Sequence, residues 1–213
     1  MEPVFKDAVS NGGLVWLPEH GWGYVDPRRV EFAYDDSYFQ FYVGLRDTKM
    51  GVLLTDARLE LVNRYTMGEV VDVGVGSGAF VLARLAKQWA TLGFDVNEAG
   101  VEWLKERSLF IDPYEHPIES ATFWDSLEHI HEPQKLLGNI TKFAFMSMPI
   151  YRDVEHLMQS KHFKKGEHIY YFTSDGLVAW MQKYGFKLVE KNSIESDLGR
   201  EDIGSFVFKR EGS

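Results

Sequence analysis

Apolar residues along the chain follow two different rhythms. Between Tyr34 and Tyr65 they recur at helical spacing, at Tyr38, Phe39, Tyr42 and Leu45 and then at Leu54, Leu59 and Val62. This predicts two helices broken near Gly51, the second capped by Thr55 or Asp56. From Glu69 onward short apolar runs alternate with amphipathic segments, the pattern of strand and helix units around a parallel sheet. Val70 to Val73 reads as a buried first strand, followed by a helix over Ala79 to Ala86. Thr91 to Val96 forms a second strand, a helix follows around Gly100 to Glu106, and Leu109 to Ile111 is short enough to be a minimal third strand. The fourth, Ala121 to Trp124, ends at Asp125, and Glu132-Pro133 opens a helix with proline where its missing N–H matters least. Phe143 to Met148 reads as the fifth strand. Thr173 or Ser174 caps a helix through Met181 that stops at Gly185. Two last strands, Lys187 to Ile194 and Ser205 to Lys209, are joined by the polar stretch Glu195 to Gly204 and are expected to pair antiparallel.

The first 30 residues lack such a rhythm. Turn formers at Asn11-Gly12-Gly13, Pro18, Gly21, Gly23 and Pro27 predict an irregular or hairpin-like arm. No repeat or flexible linker divides the chain, so one domain is expected, with residues 1–65 as an N-terminal extension or lid and 66–213 as an α/β core.

Composition narrows the partners. The 213 residues carry 32 acidic and 23 basic side chains, a net charge of −9, which disfavours a phosphate backbone as partner. There is no cysteine, so disulfides, thiolate metal sites and thiol nucleophiles are excluded. The opening residues show no basic region followed by an apolar run, and no apolar stretch approaches the roughly 18 residues of a membrane span. A cytoplasmic protein without membrane association is therefore expected. Aromatics are abundant at 15%, which suits either an aromatic core or a ligand cleft.

The main chemical signal is the turn Asp72-Val73-Gly74-Val75-Gly76-Ser77-Gly78 after the first core strand. In a doubly wound sheet such a turn lies at the carboxyl ends of the strands, where ligands bind. Glycine there allows positive φ and close approach of a ligand to the backbone, and the next helix offers unpaired N–H groups. Asp95 closes the second strand about 20 residues on, the spacing at which an acid accepts both hydroxyls of a ribose. Gly74 to Ala79 also satisfies the G-x-G-x-x-A form of the dinucleotide fingerprint, so a nicotinamide or flavin remains an alternative at this point.

Three segments, Val71 to Phe80, Gly93-Phe94-Asp95-Val96-Asn97 and Phe123-Trp124-Asp125-Ser126-Leu127-Glu128-His129-Ile130, together resemble class I S-adenosylmethionine (SAM)-dependent methyltransferases. The likeness is to the group with a D-x-L-E-H motif after strand four, and it extends through Ser160 to Phe163 and Gly166 to Thr173. It implies a Rossmann-like fold: a mainly parallel seven-stranded sheet with a C-terminal antiparallel hairpin and helices on both faces. It also implies SAM as cofactor, with S-adenosylhomocysteine as product. Asp72, Gly74, Val75, Gly76 and Gly78 would hold the methionine end, Asp95 and Val96 the ribose region, Asp112 the adenine amino group, and Asp125 and Ser126 would lie beside the donor. The acid before the turn, the long segment preceding the first strand and the terminal hairpin favour SAM over a dinucleotide.

Methyl transfer depends mostly on alignment, with a base needed only if the acceptor must lose a proton. His129, His162 and His168 are the candidate bases, and Tyr38, Tyr42 and His162 the candidate acceptor contacts. Lys161, Lys164 and Lys165 form either an anion-greeting loop or a solvated one. No metal is expected, because the histidines lack helical ligand spacing such as H-E-x-x-H. The function expected is methyl transfer to a small, polar acceptor. A nucleic-acid or protein methyltransferase, a SAM-binding module without catalysis and a dehydrogenase are the alternatives.

Overall fold

The computed structural model describes residues 9–11, 13–30, 35–164 and 166–212; Gly12, Tyr34 and Lys165 lie outside the described residues. At the centre is β4 (Val70–Val73), buried along its whole length. It is flanked in parallel by β5 (Thr91–Phe94) and β6 (Ile118–Trp124). Next to β6 runs β7 (Ile140–Tyr151), also parallel, and β7 pairs antiparallel with β10 (Ile203–Arg210), which pairs antiparallel with β9 (Phe186–Asn192). The predicted third strand shrinks to one bridge, Phe110 to Gly93, on the outer edge of β5.

Both faces of this sheet are covered, as the side-chain alternation of a strand requires. Val71, Val73, Ala144, Met146, Phe206 and Phe208 pack with Leu136 of α5 (Pro133–Asn139) and with Leu177, Trp180 and Met181 of α7 (Ser174–Gln182). Val70, Phe145 and Val207 face the other way, onto Leu61 and Val62 of α2 (Lys49–Asn63) and Phe80 of α3 (Ala79–Ala86). Thr173 caps α7 by accepting from Gly176 N at 3.0 Å, as predicted.

Local details depart from the expectations or refine them. The break between α1 (Asp36–Arg46) and α2 falls at Asp47-Thr48, and Thr48 is the cap, its hydroxyl accepting from Gly51 N at 3.1 Å. Gly51 sits inside α2, where a Cβ would run into the carbonyl oxygens of Leu45 and Arg46, so it permits the tight corner instead of breaking the helix. The N-terminal arm takes the hairpin-like of its two expected forms and adds a third strand. β1 (Val9–Asn11), β2 (Leu14–Leu17) and β3 (Trp22–Val25) form an antiparallel ribbon that pairs with β8 (Tyr170–Thr173). The end of the unusually long β7 pairs with β8 through Ile150 and Tyr151, so the ribbon extends the central sheet. Finally, the polar link between β9 and β10 folds into a short helix, α8 (Ile194–Asp197), which buries Glu195. Two further helices, α4 (Glu98–Glu106) after β5 and α6 (Val154–Gln159) after β7, complete the order. Among the described residues no helix is long and apolar enough to cross a membrane.

Candidate functional site

Where β4 sends the chain one way to β5 and β6 lies on its other side, the carboxyl ends of the strands leave a crevice. There a cavity of about 460 Å³ opens, within the usual range for small-molecule sites. Its walls are the glycine turn, the ends of β5 and β6, and Tyr38 and Tyr42 of α1. A second, wider depression of about 730 Å³ lies near Tyr151, Asp175 and Asp202, away from the glycine turn.

The three glycines of the turn all have positive φ, +81° at Gly74, +50° at Gly76 and +70° at Gly78, yet they serve different ends. A Cβ on Gly74 would meet Ser126 Cβ at 2.8 Å, and one on Gly78 would strike the Trp103 ring. Those two glycines therefore permit close packing. Gly76 has nothing within 4 Å of where a Cβ would stand and faces the cavity. Its N–H donates to Asp95 Oδ2 at 3.3 Å, while Asn97 N donates to Asp95 Oδ1 at 2.9 Å. Burial pushes the Asp95 carboxyl up from its ordinary value, against these hydrogen bonds.

Beneath the turn, Asp72 is 1% exposed, and its Oδ1 accepts from Thr122 Oγ1 at 2.7 Å. Burial raises its pKa to about 7, although Thr122 and Arg58 pull the other way. Ser126 Oγ donates to Val73 O at 2.6 Å, fastening the loop after β6 to the end of β4.

On the opposite wall Trp124 and Asp125 end β6, and Asp125 adopts a left-handed φ of +55° that few non-glycine residues tolerate. Its carboxylate accepts from Arg200 at 2.8 Å and from Arg58 at 3.3 Å. Arg58 lies 5.0 Å above the Trp124 ring, borders the cavity, and is paired with Glu195, as is Arg200. Burial alone would raise the Glu195 pKa, but the two guanidinium groups bring it down to about 2. No periodicity singled out this network, since its members lie on α2, the end of β6 and the α8 segment.

The predicted residues therefore separate. Asp72, Gly74, Val75, Gly76, Asp95, Val96, Asp125, Ser126, Tyr38, Tyr42 and His129 border the cavity. Gly78 supports it from behind. Asp112 is not among the lining residues; its Oδ1 accepts from Tyr114 N at 2.8 Å, and the Tyr114 side chain borders the cavity in its place. His162 is also away from the lining, with Nε2 3.0 Å from Glu201 O. Lys161 and Lys164 are paired with Glu201 and Glu167, so neither stands as an uncompensated charge. Tyr38 and Tyr42 touch each other, hydroxyls 3.3 Å apart and rings 4.9 Å apart.

His129 Nδ1 lies 3.0 Å from Glu167 O. Because a carbonyl can only accept, Nδ1 carries the proton, and the lone pair of the neutral ring is on Nε2. His168 stacks edge-on against it at 4.6 Å but is buried and does not line the cavity. Burial pulls the pKa of both rings down, that of His168 to about 2, and the closeness of the two imidazoles and of Lys164 adds to it.

A family model described as a methyltransferase domain matches residues 46–191. No curated protein matches the sequence. Among solved structures, a chain from a complex of the Haloferax volcanii Trm112 methyltransferase activator with a methyltransferase superposes with a TM-score of 0.63 at 12% identity, covering 84% of this chain and 96% of that one. Magnesium protoporphyrin IX methyltransferase from Synechocystis PCC 6803, with bound S-adenosylhomocysteine, gives 0.54 at 15% identity, with coverages of 76% and 85%. The [4+2]-cyclase SpnF gives 0.52 at 16%, with coverages of 74% and 79%. Identities this low speak for the fold alone, and the cyclase shows that the fold hosts more than one chemistry.

Proposed function

The chain belongs to this methyltransferase family, and we propose that it binds SAM along the Gly74 to Gly78 turn and transfers the methyl group to a small, polar acceptor, releasing S-adenosylhomocysteine. The observation that carries this reading is the open space in front of Gly76, a cradle that any side chain there would fill, bordered by the carboxyls of Asp72 and Asp95.

In this reading Asp72, with the turn backbone, faces the cationic methionine end, where a positive ligand favours its charged form. Asp95 holds the ribose hydroxyls while it tethers Gly76. Val96, Phe94 and Tyr114 flank the adenine end, a place that Asp112 does not reach. Asp125 and Ser126 lie beside the donor, and the Asp125 to His129 segment supports the D-x-L-E-H group within the family. Transfer from the sulfonium is an in-line displacement: the acceptor lone pair forms the new bond and the C–S pair leaves with sulfur. Holding acceptor and methyl group in line is then the main task, and Tyr38, Tyr42 and His129 border the space for it. The net charge of −9 favours a small acceptor over nucleic acid.

The test is calorimetry of the full chain with SAM, S-adenosylhomocysteine and NADH, followed by a metabolite screen with methyl-labelled SAM. Saturable binding of SAM and its product, without NADH binding, is expected, together with label transfer to at least one acceptor. Binding of NADH alone would overturn the reading. SAM binding without transfer to any acceptor would point instead to a module that has lost catalysis.

A further inference from the structure

Just behind the acceptor wall is a group of side chains that methyl transfer by alignment leaves unexplained. Glu128 is 1% exposed, and neither of its buried carboxylate oxygens has a hydrogen-bond partner. A buried carboxyl in that state is costly unless it is neutralised or meets a cation. Glu128, His129 and His168 each bring a donor atom to within 4.8 Å of the others. The arrangement is held by the backbone on both sides of His168: Ile169 N donates to Glu128 O at 2.8 Å, and His129 Nδ1 donates to Glu167 O at 3.0 Å. These two bonds lock the segment before β8 against the turn after β6, fixing His168 opposite the Glu128-His129 pair. A hydrogen bond from the far ring nitrogen to a backbone carbonyl is also the usual way in which a ligating histidine is oriented.

We propose that Glu128, His129 and His168 form a site for a divalent first-row cation, zinc by its ligand set, on the wall of the acceptor cavity. Two imidazoles and one carboxylate make up the protein ligands of many catalytic zinc centres, which keep a further position open. Tetrahedral bonds of about 2.1 Å set donors about 3.4 Å apart. The three donor atoms, which lie within 4.8 Å of one another, reach that spacing through at most about 1.4 Å of closure shared between side chains. The expectation of no metal came from spacing along one helix, whereas these ligands come from two segments about 40 residues apart, joined only by folding. His129 borders the cavity and the other two ligands do not, so the open position faces the acceptor space. Resting on the methyltransferase reading, this selects acceptors that present an oxygen donor, such as a hydroxyl, to the cation.

The test uses the full, untagged chain, stripped with a chelator and titrated with Zn²⁺ alone against a chromophoric competitor, with Mg²⁺ as control. One zinc per chain is expected, with affinity at least tenfold weaker in E128Q and in H168N, and no comparable Mg²⁺ binding. Cobalt substitution of the wild-type chain should give the visible bands of a nitrogen- and oxygen-ligated site. Circular dichroism and SAM calorimetry on the same samples report whether the variants fold. Zinc binding that is absent, or unchanged in both folded variants, overturns the proposal. If the variants fail to fold, the cobalt spectrum of the wild type decides, and its absence overturns the site. SAM binding without zinc sinks only this site, whereas zinc binding without SAM sinks the donor reading and leaves the site standing.

Discussion

Arg58 of α2 and Glu195 of α8, 137 residues apart in sequence, meet in an ion pair with Nε 2.8 Å from Oε1. The contact joins the helix that precedes the core to the link between the last two strands, and it braces the end of β6 from behind. Arg200 completes the clamp through Asp125 and Glu195, so α2 and the α8 segment both converge on the strained Asp125 turn at the cavity wall.

Removing Glu195 should therefore destabilise the fold well beyond a surface substitution. The carboxylate is 1% exposed, and its loss leaves two guanidinium groups sharing Asp125. A loss of about 3 kcal/mol is expected for Glu195→Ala, the lower end for breaking a buried pair because Arg58 keeps some solvent contact. Urea unfolding measures it, and a change under 1 kcal/mol would show that the clamp is incidental.

The same carboxyl predicts an acid limb. Its pKa is lowered to about 2 in the fold, against 4.5 when unpaired, so its contribution is complete above about pH 4.5 and is lost as pH falls toward 2. Thermal melts between pH 5 and pH 2.5 should show the wild type losing stability more steeply than Glu195→Gln. Parallel curves would contradict the assignment.

Gly76 and Gly78 should part company when mutated. Gly76→Ala incurs about 1–2 kcal/mol for a side chain at positive φ but meets no neighbour, so the fold should survive while SAM affinity drops at least tenfold. Gly78→Ala drives a Cβ into the Trp103 ring and should lose about 2–5 kcal/mol of stability. Paired melting and calorimetry separate the two, and equal loss of affinity with equal loss of stability would erase the distinction drawn from the geometry.

What the sequence shows best is what is local in the chain. β4, the glycine turn and Asp95 lie within 26 residues, and each is marked by a residue type whose physics is specific: buried valines, glycines at positive φ, an acid closing a strand. The helix break was misplaced because Gly51 carries turn chemistry, yet it lies inside α2 against the Leu45 and Arg46 carbonyls, and the cap is Thr48 and not Thr55 or Asp56. Arg58, Glu195 and Arg200 were missed since nothing in a one-dimensional pattern pairs residues on separate segments. Asp112 had the expected type in the expected place, but it is not among the residues that border the cavity, where Tyr114 stands instead. The strand β8 went unpredicted because Tyr170, Tyr171 and Phe172 form an unbroken aromatic run without alternation, and its partners, β3 and the end of β7, are distant in sequence.

Asp95→Ala should weaken SAM binding by about 1–3 kcal/mol, the range for lost hydrogen bonds to a carboxylate. Part of that loss is indirect, because Asp95 also anchors Gly76 N and Asn97 N. Asp95→Asn keeps an acceptor oxygen for one of these amides and should recover some of the affinity. Calorimetry showing unchanged affinity in both variants would remove Asp95 from the donor site.

Asp72 sets the pH dependence of donor binding. Burial lifts its pKa to about 7 from 3.8, so the fold favours the protonated form and loses stability as pH rises from about 4 to 7, with no further change above. A cationic ligand reverses that preference, because it stabilises the carboxylate. SAM affinity is therefore expected to rise with pH up to about 7, by as much as tenfold per unit below it, and to level off above. Asp72→Asn should flatten the profile and leave affinity near the low-pH value of the wild type. Calorimetry from pH 5.5 to 7.5 in two buffers of different ionisation enthalpy reads both the affinity and the proton released. A flat wild-type profile with no proton release would place the charge of the ligand away from Asp72.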